Sequence, residues 1–535
     1  MTPMIRRCVR WGTLAVLGLG LACTRAASVP ASPPARPSLV VLVVVDGLRY
    51  ADVERWRERF GPGGFRRLLE GGVVFDAARY PYATTQTCVG HATVATGTLP
   101  ERHGIVANTW YDREAGAKVS CVLDAESPSL DGSGGAGVSP KRLGMPTLGD
   151  ALLGARPSSR VLAVALKDRA AVMMAGHRGT AFWWGKEGFT TSRHYAQALP
   201  EFVATWNAGR PQVAGTSWER SAAPALYAQL GPDDDVHELP PQGFGRVFPH
   251  LIPPGDGFLY TPSGADQLLD FGLAAVRAEH LGTRPGAVDL LAVGLSTVDM
   301  VNHAYGPDSH EALDTLLRVD RALTGFLSAL DQEVGAERVL VALTADHGMG
   351  SAPQPGGRLD GARVTQALEA ALDAAYGEET WVQAFTTPYV YLRPEALAAR
   401  GVRREDALAV GARAIGALPG VAQVLTDTQA QSHDSRGLTP AVRASYFAPR
   451  AGDLTVLPVS GVLLAPDADC AGWHGAPYEY DQHVPLMLAG PGLKPARHAR
   501  PVSPADVAPT LAAWLQVPLP EATGTPLPEA TPPAR

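Results

Sequence analysis

The sequence predicts an α/β protein: a mostly parallel central sheet with helices on both faces and a large inserted cap. Three stretches carry that prediction. Ser38 to Val45, Asp289 to Ser296 and Arg338 to Thr344 are near-continuous apolar runs rich in valine and leucine. Such runs belong to strands covered on both faces, as in parallel sheets. Each run delivers metal-type ligands at or just past its end: Asp46, then Asp299, then Asp346 and His347. In open α/β sheets ligands bind beyond the carboxyl ends of the strands. Three ligand clusters therefore converge on one edge of one sheet.

The bulk numbers fit this reading. A chain of 535 residues holds one large α/β domain with insertions, or two to three domains. With 19% charged and 46% hydrophobic residues it is an ordinary globular chain. A formal charge of −7 provides no basic face for nucleic acid, so anionic substrates would need local cations or metals. Arg6, Arg7 and Arg10 precede the apolar run Trp11 to Ala22, and Ala26, Ala27 and Ser28 follow. That is the order of a secretory signal, too short to span a bilayer as a helix. Leu21-Ala22-Cys23 adds a lipidation-like signature at Cys23, although Gly20 stands where such signals carry a larger apolar residue. The expectation is an exported, periplasmic chain with no transmembrane segment once mature, either free or lipid-anchored. Outside the targeting segment, Cys88, Cys121 and Cys470 permit a disulfide, but their spacing names no pair.

The expected organisation is a signal over 1–27, a Pro-rich linker over 28–37, a catalytic core in two parts (38–109 and 286–517), a cap over 110–285 and a flexible tail over 518–535. Helices are expected over 52–60, with a short resumption to Glu70 after the break at Gly61-Pro-Gly-Gly64, and a strand at Val73 to Phe75. The Thr-rich stretch Tyr80 to Thr87 leads to a helix beginning near Gly90. Spacing alone makes its threonines helix caps. A hydroxyl in that place also faces the free N–H groups that favour a phosphoryl group. Inside the expected cap, Arg160 to Leu166 is strand-like and ends in Lys167-Asp168-Arg169. If the strand continues, Lys167 and Arg169 share a face, as an anion clamp or as a solvated edge. Asp299 and His303, four apart, share a helix face and can reach one metal ion. Further helices are expected over 309–332, 364–375, 404–418 and 503–516, the last with Ser503 as cap and Pro504 in its first turn.

The collected ligands are Asp46, Asp299, His303, Asp346, His347 and one of His474 and His483. Mixed carboxylate and imidazole donors suit zinc better than magnesium or calcium. Six are too many for one open tetrahedral site, and fit a pair of ions of the kind used for displacement at phosphorus.

The motifs Val-Asp46-Gly47, Thr87-Cys-Val-Gly-His91, Thr-Gly97…Pro100…His103-Gly-Ile, Asp299-xxx-His303, Asp346-His347-Gly348 and His474-Gly475 together resemble the alkaline phosphatase superfamily. They are most similar to its type I phosphodiesterase/nucleotide pyrophosphatase branch, over about residues 38–517. Asn108 and Lys167-Asp168-Arg169 resemble the bacterial monomeric alkaline phosphatases of that branch, which use a threonine nucleophile. The resemblance implies two Zn2+ per chain, one held by Asp46, Asp346, His347 and the reactive Thr87, the other by Asp299, His303 and His474. It implies that Thr87 forms a covalent phosphothreonine and that Asn108, Lys167 and Arg169 contact the phosphoryl oxygens. The implied substrates are small phosphate monoesters, with inorganic phosphate as product, and the implied state is a monomer. Lys167 and Arg169 favour a dianionic monoester over a diester, so a phosphodiesterase on the same site is the alternative, and an inactive phosphate binder a third reading. His474 is chosen over His483 because Gly475 follows it. His91 and His103 read as packing residues or supports of the ligands. Cys88 lacks the following Pro and Arg of the sulfatase motif and reads as a structural thiol.

Overall fold

The computed structural model describes residues 36–132, 137–351, 357–465 and 470–532. The expected signal segment and Cys23 lie outside them. The central sheet has nine strands: β1 Leu39–Val45, β2 Val73–Ala78, β3 Val161–Ala165, β4 Thr180–Trp184, β5 Phe189–Thr190, β6 Asp289–Leu295, β7 Val339–Thr344, β8 Leu486–Ala489 and β9 Ala496–Val502. Their order across the sheet is β9-β2-β8-β7-β1-β6-β3-β4-β5. The run β7-β1-β6-β3-β4 is parallel throughout, while β8 runs against both its neighbours and β5 against β4. Every residue of β1 is buried, which is why seven apolar residues in a row are needed there.

Register is what builds the site. Val45 pairs with Leu295, Val44 with Thr344 and Gly294 with Ala165. Four adjacent strands therefore stop at nearly one level, and the residues just past their ends face one another. Those residues include Asp46, Asp299, Asp346 and Lys167.

Three parts of the chain differ from expectation. First, 110–285 is not simply a cap, because β3, β4 and β5 extend the central sheet. The helix Ser263–Ala278 covers them, with Phe271 stacked on Phe189 at 3.9 Å between ring centroids. Arg160 to Leu166 was legible as a strand, but its place beside β6 is a long-range pairing with no local signal. Second, Val382–Thr386, Tyr389–Leu392, Leu454–Pro458 and Val421–Thr426 form a separate four-stranded antiparallel sheet. The helices Gly361–Tyr376 and Arg404–Gly416 pack on it around a core of its own that includes Leu368, Trp381, Ile415 and Val456. Third, the end of the chain is docked. Leu527 and Ala530 are buried, Trp514 Nε1 donates to the Ala530 carbonyl at 2.7 Å, and the N–H groups of Thr523 and Gly524 reach the Gly97 carbonyl at 2.8 and 2.9 Å. Its Pro/Thr/Glu composition hid two apolar anchors. Truncation after Val517 is therefore expected to lower stability by roughly 2 kcal/mol or more, the worth of one buried leucine and its neighbours. A urea or thermal midpoint equal to that of the full chain would show that the segment contributes nothing.

Among the described residues no helix is long and apolar enough to cross a membrane.

Candidate active site

The level strand ends meet three further pieces of chain. Helix α1 (Thr87–Thr96) begins at Thr87, three residues before the expected start. Its N-cap residue is Gln86, and no side chain caps it. Thr85 instead turns its hydroxyl to the Ala476 carbonyl and to Asp481, each at 3.2 Å. The capping role that spacing suggested for these threonines is thus not taken up. Helix α2 (Asp168–Ala175) starts directly after Lys167, so Lys167 and Arg169 lie at a strand-to-helix turn and not on a continued strand. Helix α3 (Thr297–Tyr305) carries Asp299 and His303 one turn apart.

Close approach of backbone explains two glycines of the motifs. A Cβ at Gly90 would lie 2.1 Å from the Asp346 carbonyl oxygen, so α1 seats directly on the end of β7 only with glycine there. Gly47 has φ +73° and would place a Cβ 3.1 Å from Asp299.

The ligand-type side chains converge. Asp46, Asp346 and His347 bring one donor atom each within 4.8 Å of one another, and so do Asp299, His347 and His474. His347 Nε2 stands 3.4 Å from Asp46 Oδ1 and from Asp346 Oδ2. His303 Nε2 is 3.3 Å, and His474 Nε2 3.7 Å, from Asp299 Oδ1. The three imidazoles are oriented by the same device. Nδ1 of His303, His347 and His474 lies 2.8, 2.8 and 2.7 Å from the carbonyls of Gly472, Gly348 and Thr85. A carbonyl only accepts, so each Nδ1 carries a proton and each Nε2 faces the carboxylates, the nitrogen by which a neutral ring would ligate a metal. His347 Nε2 is also 3.5 Å from Thr87 Oγ1, which places the candidate nucleophile against the first group.

The charge balance calls for cations. Asp46, Asp299 and Asp346 are fully buried, and Asp46 Oδ1, Asp299 Oδ1 and Asp346 Oδ2 have no hydrogen-bond partner among the described residues. Lys167 Nζ bonds Asp46 Oδ2 at 2.7 Å and also Asp299 Oδ2. One ammonium leaves the three carboxylates undercompensated in a dry site, which is costly unless more positive charge is bound. Burial and the neighbouring Asp299 and Asp346 push the Asp46 carboxyl well above its usual range. For Asp299 and Asp346 burial acts the same way, but positive charge beside them, on the adjacent imidazoles when protonated and on Lys167, outweighs it and holds both carboxyls low. Burial would lower the Lys167 ammonium, but Asp299 and Asp46 leave it raised. His474 is held neutral by burial and by the neighbouring His347. Buried carboxylate oxygens without partners, facing imidazole nitrogens, fit divalent metal.

Asn108 Oδ1 accepts from the Cys88 N–H at 2.8 Å. Because that partner is a donor, the amide oxygen must face it and the Nδ2 donors point elsewhere. Arg169 Nε has no partner among the described residues. His483 lies outside the ligand groups: its Nε2 reaches the Asp76 carbonyl at 2.8 Å and its ring stacks on Tyr50. His91 donates from Nδ1 to the Thr87 carbonyl at 2.8 Å and stands 3.2 Å from Asp346 Oδ2, linking the candidate nucleophile to a candidate ligand. His103 is buried, accepts from the Ile105 N–H, and is driven down to about 3 by burial and Arg450, so it packs as a neutral ring.

Cys88 is no lone thiol but is bonded to Cys121. Cys470 lies outside that bond, with Arg358 Nη1 3.7 Å from its sulfur. Two contributors carried no readable signal. Gln86 accepts the Asn108 N–H at 2.6 Å and donates to the Thr387 carbonyl at 3.1 Å. Asp481 shapes the His474 loop by accepting the N–H groups of Gly475 and Ala476 at 2.9 and 2.8 Å, and burial pushes its carboxyl up to about 8.

Several known proteins are similar to this chain in sequence and in fold. The alkaline phosphatase PafA of Elizabethkingia meningoseptica is 32% identical, over 97% of this chain and 98% of its own length. A Myroides odoratus protein named a calcium-transporting ATPase is 31% identical, over 92% of this chain and 95% of its own length. The crystal structure of wild-type PafA superposes with a TM-score of 0.87 at 29% identity, covering 92% of this chain and 99% of that one. A second PafA structure, with a TM-score of 0.86, has a threonine replaced by serine and an asparagine, a lysine and an arginine replaced by alanine. Its threonine and asparagine are 21 positions apart and its lysine and arginine two apart, the same separations as Thr87 to Asn108 and Lys167 to Arg169. The family model of type I phosphodiesterases and nucleotide pyrophosphatases matches residues 40–477, and the chain belongs to that family.

Proposed function

We propose that the chain is an exported, zinc-dependent alkaline phosphatase that hydrolyses phosphate monoesters through a phosphothreonine at Thr87. The observation that carries this reading is the placement of Thr87. It opens an uncapped helix and lies beside two overlapping carboxylate–imidazole groups, with Asn108 bonded through Oδ1 to the N–H of the next residue, Cys88.

Asp46, Asp346 and His347 would hold one Zn2+, and Asp299, His303 and His474 the other. Bound there, zinc lowers the pKa of a hydroxyl and stabilises charge on a departing oxygen. The protein's own groups do the rest. Thr87 Oγ1 attacks phosphorus in line, the P–O bond to the alcohol breaks, and water then releases inorganic phosphate from the threonine. The Asn108 amide, the Lys167 ammonium and the Arg169 guanidinium lie against the equatorial oxygens, where phosphoryl transfer most needs fixed charge. The matched spacing of these four residue types in the PafA variant supports the assignment. The family also includes phosphodiesterases, and the diester reading shares the same metals. Two cations beside the phosphoryl group favour the dianion and hence the monoester.

The test is a rate comparison on the zinc-loaded chain. Hydrolysis of p-nitrophenyl phosphate is expected to exceed that of bis-p-nitrophenyl phosphate, with two zinc ions per chain by elemental analysis. A diester preference would move the enzyme to the other reading. A single ion would overturn the two-metal assignment.

A further inference from the structure

We infer that the Cys88–Cys121 disulfide is a positioning element that holds the side-chain amide of Asn108 toward the phosphoryl group. The inference rests on the phosphatase reading above and concerns a bond that lies outside the metal centre.

Asn108 is held at three points, and two of them are the cysteines themselves. The Cys88 N–H donates to Asn108 Oδ1 at 2.8 Å, and the Cys121 N–H donates to the Asn108 carbonyl at 3.0 Å. The third hold is Gln86 Oε1 on the Asn108 N–H at 2.6 Å. The topology explains the arrangement. Asn108 stands at the root of the hairpin Thr109–Asp112/Ala117–Ser120, where Thr109 pairs with Ser120, so the Cys121 N–H extends that ladder by one rung. Cys88 is the second residue of α1, next to Thr87. The disulfide thus ties the root of the hairpin to the start of the nucleophile helix, and Asn108 is clasped between the two halves. Both cysteines are fully buried, so the bond is a fixed brace and not a solvent-exposed redox switch.

Removing a disulfide that only stabilised the fold would lower the melting temperature and leave turnover of the folded enzyme untouched. A positioning disulfide acts on rate, and acts only through Asn108. A four-member cycle separates the two: wild type, Cys88→Ala/Cys121→Ala, Asn108→Ala and the triple variant, with kcat/KM on p-nitrophenyl phosphate at saturating zinc and Tm for each. Removing the disulfide is expected to lower kcat/KM about tenfold or more, since small misplacements of a catalytic group are costly. Asn108→Ala is expected to cost on the order of 100-fold, as loss of one oxyanion donor does. The triple variant should be no slower than Asn108→Ala alone, while Tm falls equally in both backgrounds. Full activity without the disulfide, or a loss that multiplies in the triple variant, would overturn the inference. If the double variant does not fold, Cys121→Ala alone breaks the bond and leaves the helix unaltered, and the same outcomes decide. The underlying reading is judged separately by the wild type. Should it prefer bis-p-nitrophenyl phosphate, the phosphatase reading falls and the cycle is run on that ester. Should it hydrolyse neither, the cycle is read on affinity for inorganic phosphate by calorimetry.

Discussion

Thr87→Ala is expected to lower kcat on p-nitrophenyl phosphate by a factor on the order of 10⁴ or more, because in the proposed mechanism it removes the attacking atom. Thr87→Ser should retain far more, since it keeps a hydroxyl at the same Cβ. The structure makes this a sharp expectation. Thr87 is fully buried and makes no capping bond, and its Oγ1 stands 3.5 Å from His347 Nε2. A structural threonine in such a place would show its loss in stability. A nucleophile shows it in rate at unchanged Tm. Acid quenching during turnover of a phosphorus-labelled monoester should leave label on wild type and none on Thr87→Ala. Alanine activity within about tenfold of wild type would remove Thr87 from the mechanism and point to direct attack by water.

What could be read in the chain, and what could not, follows from how each residue acts. Asp46, Asp299, Asp346 and His347 were legible because each lies at or just past the end of a strand whose burial on both faces writes itself as an apolar run. The order of those strands was not legible. Nothing local to Val161–Ala165 says that it pairs with β6, and its surroundings read as a cap. The helix opening at Thr87 carries no cap and lacks amphipathic spacing, since all ten of its residues are buried. Spacing therefore puts its start near Gly90, three residues late. Gln86 meets the Asn108 main chain 22 residues away, Cys88 meets Cys121 at a separation of 33, and Asp481 meets the Thr85 hydroxyl 396 residues away. Such partners leave no trace in residue type or spacing. The C-terminal segment shows the converse error, since its overall composition says tail while Leu527 and Ala530 decide that it packs.

The second large effect separates the two esters. Lys167→Ala is expected to slow p-nitrophenyl phosphate hydrolysis by about 10²–10³, the scale on which removal of one preorganised charge at a developing anion acts, and to change the diester rate by less than about tenfold. The comparison has to be a ratio, because Lys167 plays two parts. Its ammonium touches Asp46 and Asp299, the carboxylates assigned to different zinc ions. Removing it deletes a charge near the phosphoryl oxygens and also relieves competition at both carboxylates, so zinc affinity would change along with catalysis. A change in metal occupancy alters monoester and diester rates together. A lost contact to the second negative charge of a monoester alters only the monoester. Arg169→Ala provides the control, since Arg169 Nε has no partner among the described residues while Lys167 carries the contacts to both carboxylates, and its removal should leave zinc content at the wild-type value. If both variants collapse the monoester-to-diester ratio at full zinc loading, the pair acts on the dianion. An unchanged ratio in both would assign Lys167 to balancing the buried aspartates and would leave the monoester preference without its cations.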